Sequence, residues 1–531
     1  MTDTTEVHSE FSQFDHVTSN HQGKHELFLT DPVFCNPNSS LSVARVLRKI
    51  GAENDIIRYG GRKRHWTFIC CDGLPYMIIR KLKQEAVICV FADCNKSFLT
   101  LEEYNKHANQ SNPDEQRKYV LEFDWLYLKI GLGHYEMNLI KSFFELNWVP
   151  FLEAMCEEMG FESDASKLFA KRCKDHHKSW RLLLIFHLGS LQELVLPYVR
   201  HCLLLKSTPS AKGFLGFNAR FYSSKEYPNL TYLMDQVGKY SQGIINLRMA
   251  TRRNNASLLR SSMYMTKELF HGRQHPKYQI IELYDAIQYK MMPEDVRQLY
   301  DDYSSITTSG NYSLGEDFDF VLEEKNKQLK SWIPKGVPTD EIWQTVCRNN
   351  TLLENIKDRS LSVLGLSSSK SGTHSLGIDD AVLAFRVLLR KTNYLSKPTD
   401  HTSISGMALD EGLIGFTQAA LGKRIHIIKT EFLGLPLQPE HYIFRHPVPV
   451  TPFEREKLYN TSNMTINEIQ EEILKILSQI TDPFQFDYDK KLYQQEVKTK
   501  GKARLIHFLQ EVKTALHTDN TVDFDNEMNQ Q

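Results

Sequence analysis

The chain has 531 residues, 41% hydrophobic and 24% charged, with a formal net charge of −1; this is an ordinary globular composition, long enough for two or more domains. The near-zero charge excludes bulk electrostatic attraction to DNA or a membrane, so any nucleic-acid surface has to be local. No stretch approaches eighteen uninterrupted apolar residues, so no spanning helix is expected.

Acids at Asp3, Glu6 and Glu10 and the lack of an early apolar run argue against a signal peptide. Residues 1–28 are polar and are expected to be disordered. Residues 40–50 (SLSVARVLRKI) read as an amphipathic helix behind a serine cap. His65 to Cys71, HWTFICC, reads as a strand, and Asp72 closes it before a Gly-Leu-Pro turn and a helical run. An aspartate there serves either as a helix N-cap or as a metal ligand.

Cys89 to His107 has the spacing C-x4-C-x3-F-x5-Y-x2-H. This supplies three ligands (Cys89, Cys94, His107) and both core hydrophobes (Phe98, Tyr104) of a Cys2His2 zinc finger. The fourth ligand is due three to five residues after His107, and the stretch 108–113 (ANQSNP) holds neither His nor Cys. The segment 86–112 is therefore expected to be a degenerate finger. It either packs without metal or holds zinc with water or a ligand from elsewhere in fourth place.

Leu126 to Trp148, LYLKIGLGHYEMNLIKSFFELNW, is the most informative run. A short apolar strand is broken at Gly131 and Gly133, and a helical pattern follows. His134, Glu136 and Asn138 lie between, where α/β proteins place working groups. The strands before Asp72 and before Gly131 are expected to lie side by side in one sheet.

The sequence from 141 to about 310 is helical in character. Its His-rich stretch 173–177 (CKDHH) suits a polar helix face better than a metal cluster, since no second ligand group has matching spacing. Arg248, Arg252, Arg253, Arg260, Lys267, Arg273 and Lys277 form the most basic local stretch and are candidate phosphate contacts; a solvated helix face is the alternative. Asp317, Asp319, Glu323 and Glu324 stand at the N-terminal end of a helix over 315–332, where its dipole favours acids. A Ser-rich linker at 367–373 precedes a mainly helical region, 374–517, with helices at 379–391, 410–421, 465–480 and 502–517. Residues 424–428 suit a strand or a continued helix, 446–452 is extended, and the acidic tail 518–531 is expected to be disordered.

Four of these pieces together resemble an uncharacterised eukaryotic domain of unknown function found in transposon-like genes. They are Cys71-Asp72-Gly73-Leu74-Pro75-Tyr76, Gly-Leu-Gly-His-Tyr-Glu-Met-Asn at 131–138, Asp317 to Lys330, and His446 to Glu454. A more distant similarity is to hAT-type transposases, which have an RNase H-like core. That similarity implies an α/β fold, mostly α by content, with a mixed sheet core over 29–366 and a large helical insertion at about 141–310. It also implies catalytic Asp72, His134, Glu136 and Glu323, with Asp72, Glu136 and Glu323 holding Mg²⁺ or Mn²⁺. The departure is at the second strand end, which offers His134 and Glu136 and no Asp, and His134 is a poor ligand for Mg²⁺, which takes hard oxygen donors.

The expected function is thus that of a transposase-derived protein which binds nucleic acid, DNA rather than RNA, and retains or has lost metal-dependent strand cleavage. A non-catalytic scaffold for protein partners is the alternative. Nine scattered cysteines suit reduced thiols, so an intracellular protein is expected, in the nucleus rather than the cytoplasm and without a membrane partner.

Overall fold

The computed structural model describes residues 25, 27–91, 94–111, 119–223, 228–272, 275–307, 315–334, 336, 338–365, 378–391, 422–427, 466–479 and 509. They are mostly helical, with two small sheets. They divide into two compact units. The strand-bearing unit draws on Leu27–Lys129 and Glu323–Ser368, the helical unit on Ile130–Leu322 and Ser369–Pro436. The span 29–366 therefore contributes to both. The linker at 367–373, the helix at 410–421, the extended stretch at 446–452, the tail 518–531 and all but Leu509 of 502–517 lie outside the described residues, as do residues 1–24.

In the strand-bearing unit, α1 (Ser40–Glu53) starts where the Ser39 hydroxyl accepts the Ser42 amide, and it buries Val43, Ala44 and Leu47. β1 (Thr67–Cys71) ends at Asp72, whose carboxylate caps α2 (Gly73–Glu85) by accepting the Gly73 amide. There follow β2 (Val87–Cys89), β3 (Ser97–Phe98), α3 (Leu101–Ser111), β4 (Tyr119–Leu121) and β5 (Leu126–Ile130). β1 pairs with β5. The Thr67 amide bonds the Trp125 carbonyl at 3.0 Å, at the head of both strands, so the pair is parallel. β2 is the centre of an antiparallel three-stranded sheet, with Val87 opposite Phe98 on one side and Leu121 on the other.

Charges are buried between these layers. Arg48 pairs in two-pronged fashion with Glu122 at 2.6 and 3.0 Å, and only 6% and 1% of these residues is exposed. Arg58 pairs with Asp124 at 2.9 Å and donates to the Glu122 carbonyl at 2.7 Å. Lys83 donates to the Leu126 carbonyl, and burial pushes its ammonium down to about 7 against the attraction of Asp124. The loop from β4 to β5 thus supplies two carboxylates that hold cations from α1, the following turn and α2 under the sheet.

In the helical unit, α4 (Leu132–Asn147) buries Leu139, Ile140, Phe143, Phe144 and Leu146, the stripe that its spacing dictates. α5 (His176–Leu204) continues through Pro197 for 29 residues. By length and composition it is apolar enough to cross a membrane, but 56% of that window is buried inside the protein. It also carries buried polar groups, including His187, held 2.9 Å from Ser241 Oγ. α6 (Gln242–Arg253), α7 (Ala256–Thr266) and α8 (Pro276–Met291) follow, and α9 (Phe318–Trp332) has its first turn in this unit and the rest, from Glu323, in the strand-bearing one.

α10 (Asp379–Lys391) packs on α5, where Glu193 takes Arg386 at 2.7 Å and Arg390 at 2.9 Å, and Phe385 meets Phe186. Residues 422–427 are helical, which decides between strand and helix there. All nine cysteines are free thiols.

Candidate functional site

The glycines of the run at 131–138 exist for an acid to reach them. A Cβ on Gly131 would stand 2.5 Å from Asp319 Oδ2, and one on Gly133 would stand 2.8 Å from Asp319 Oδ1. The Asp319 carboxylate fills this space. It accepts the Gly133 amide at 3.1 Å, the His134 amide at 2.9 Å and the His134 ring at Nδ1, 2.7 Å away. Asp317 Oδ2 accepts the same Gly133 amide at 3.1 Å and the Asp319 amide at 3.2 Å.

Two carboxylates thus satisfy the first amides of α4, where the helix dipole favours them. Burial works against the Asp319 charge, yet the bonds from His134 and Gly133 hold its carboxyl below the usual range. The imidazole faces the carboxylate through Nδ1, with 25% of its side chain exposed. Asp317 Oδ1 is buried without a hydrogen-bond partner among the described residues. A helix N-terminus repels a cation, so the pair of aspartates reads as an anionic cap that orients His134.

Glu136, two residues on, goes elsewhere. Its carboxylate meets Arg248 of α6, with Nε at 3.1 Å, and lies 3.4 Å from His176 Nε2. The Arg248 guanidinium also lies 2.7 Å from His176 Nε2 and stacks over the Trp180 ring, 3.4 Å from its centroid. Burial alone would raise the Glu136 pKa, but hydrogen bonds from His176 and Arg248 and the Arg248 charge lower it. Asn138 bonds back to the His134 carbonyl within its own helix at 2.8 Å.

The residues expected to hold Mg²⁺ or Mn²⁺ have these surroundings. Glu136 is an ion-pair partner with both oxygens engaged, Asp72 is a helix cap, and Glu323 is exposed on α9. His134 serves an acid not expected as a site residue, Asp319. Its signal in the sequence was the Gly-x-Gly spacing, which clears room for a close neighbour, together with Asp-x-Asp at a helix start.

The finger-like segment has the shape its spacing implied. β2 and β3 form a hairpin, α3 folds back over it, and Val87, Cys89, Phe98 and Tyr104 make a small core with Leu101 and Leu121 against it. Phe98 stacks on His107 with centroids 4.9 Å apart. Cys89, Cys94 and His107 offer ligand atoms that all lie within 4.8 Å of one another, and Cys94 Sγ is 3.4 Å from His107 Nε2. Tetrahedral zinc with bonds of about 2.1–2.3 Å needs neighbouring ligands roughly 3.4–3.8 Å apart. Soft thiolates with imidazole suit zinc and not Mg²⁺. The donor types suit such an ion, and the Cys94–His107 spacing matches it.

The basic stretch is largely committed to internal partners. Arg248 is held as described, and Arg260 pairs with Asp301 and stacks on Tyr289. Lys267 lies 3.7 Å over Tyr264, and burial lowers its pKa. Arg252 and Arg253 are half-buried, Lys277 is exposed, and Arg273 lies outside the described residues. Arg248 and Arg260 thus each have an internal carboxylate partner. The chain matches no family model, and no curated protein or solved structure matches it.

Proposed function

We propose that the chain is a transposase-derived protein with an RNase H-like core that binds nucleic acid, DNA in particular, and whose finger-like module holds zinc. The observation that carries the reading is the ββα module with Cys89, Cys94 and His107 converged beside Phe98 and Tyr104. The parallel pair β1–β5, each strand leading into a helix, supports the core assignment. In this reading the protein binds strands and does not cut them through Asp72, Glu136 and Glu323, because Glu136 is neutralised by Arg248. Zinc supplies a crosslink between hairpin and helix, and three side chains leave one position to water or an outside ligand.

Titration with Co²⁺ tests the metal site. The reduced protein should develop a thiolate charge-transfer absorption that Zn²⁺ bleaches, and Cys94→Ser should leave roughly half of it. Purified protein should carry at most one zinc, removable by chelator. Absence of the band at millimolar Co²⁺ would contradict the zinc assignment.

A further inference from the structure

In the 248–277 stretch Arg248 and Arg260 serve internal ion pairs and Lys267 stacks on Tyr264, whereas the loop at 60–65 displays its cations to solvent. We propose that the loop Gly60–His65 binds the phosphate backbone of a nucleic acid; this rests on the nucleic-acid reading above. Arg62, Lys63, Arg64 and His65 are all exposed. Neither Arg62 nor Lys63 has an ion-pair partner among the described residues, and Arg64 makes only a 3.3 Å bond to the Asn54 side-chain carbonyl. By contrast Arg58, four residues before Arg62, is buried on Asp124. The turn thus sorts its cations, one inward and three outward.

The loop is built to hold that display. Gly60 has φ 77°, and a Cβ on Gly61 would fall 2.1 Å from the Asp55 backbone. The Gly61 amide bonds the Ile56 carbonyl at 3.0 Å, the Arg64 amide bonds that of Asp55 at 3.1 Å, and the Ile57 amide bonds that of Arg64 at 3.0 Å. Backbone fixed in this way presents its cationic side chains from a set position, so that only the side chains are left to order on binding. Trp66 follows at once, half-buried and edge-on to Phe68 at 5.0 Å and Tyr127 at 5.8 Å. An aromatic cluster beside three cations suits bases above a phosphate chain.

A membrane surface fits less well. Exposed large apolar side chains among the described residues are absent between Val33 and Leu74, and a basic loop without an inserting hydrophobe binds bilayers weakly.

The test compares the full chain with Arg62→Ser/Lys63→Ser/Arg64→Ser in anisotropy titrations. The probes are fluorescent duplex DNA, single-stranded DNA and single-stranded RNA over a range of salt. Three phosphate contacts of about 0.9 each should lower the duplex salt slope by roughly 2–3, so that the parent's extra loss between about 50 and 200 mM salt, about 40-fold, disappears. Weakening should be uniform across sequences. Arg252→Ser/Arg253→Ser should move the slope less, and circular dichroism should show both variants folded. A parent that binds, with a triple variant that binds equally at every salt, overturns the loop and leaves the nucleic-acid reading standing. A parent that binds vesicles of one-third phosphatidylserine but neither DNA nor RNA overturns both.

Discussion

Glu122→Ala is expected to destabilise the protein by about 3–5 kcal/mol, because it leaves the Arg48 guanidinium buried without its counter-charge. Burial acts to lower the Arg48 pKa, but the Glu122 charge and hydrogen bond outweigh it and raise the value above the usual one. The loss should be read from urea unfolding followed by circular dichroism. Arg48→Met/Glu122→Leu, which removes both charges and keeps the volume, should recover most of it. A single variant within about 1 kcal/mol of the parent would mean that water reaches the pair, as it does in surface bridges.

Asp319→Ala should cost about 3 kcal/mol, since it removes a helix cap and a charge-assisted bond to His134 together. Gly131→Ala should show part of the same defect, as its Cβ would meet the Asp319 carboxylate, which three donors hold in place. The effect has a pH signature. Asp319 has a folded pKa below its unfolded one, so its contribution is complete above the usual carboxylate value of about 4. It is lost as pH falls through the depressed value. The parent should therefore lose stability towards acid more steeply than Asp319→Ala, and the two curves should converge at low pH. Parallel curves would show that the aspartate is not the titrating cap.

What the sequence revealed depended on how local the cause was. The finger-like module was legible because five residues at fixed spacing specify a hairpin, a helix and a convergent ligand set within one stretch. Asp72 was legible as a cap for the same reason. The strand ends at Cys71 and Ile130 followed from apolar runs broken by glycine.

The partners of Glu136 were not legible, because Arg248 lies 112 residues away and periodicity says nothing about which helix face meets which. Asp319 was read as favouring its own helix's dipole, when in fact it caps α4 across 185 residues of chain. The basic loop 62–65 is short, and counting charges along the chain favours the longer run of cations at 248–277. Burial and stacking, which separate a structural arginine from an available one, become visible only in three dimensions.

The nucleic-acid claim has a direct measurement: anisotropy of a labelled 30-mer, as duplex DNA, single-stranded DNA and RNA, titrated with the full zinc-loaded chain. At physiological salt the expected result is saturable binding with Kd of about 10⁻⁴–10⁻⁶ M and a logarithmic affinity that falls linearly as log salt rises. No change in anisotropy with any of the three probes, at about 50 mM salt and protein up to about 10⁻⁴ M, would contradict it.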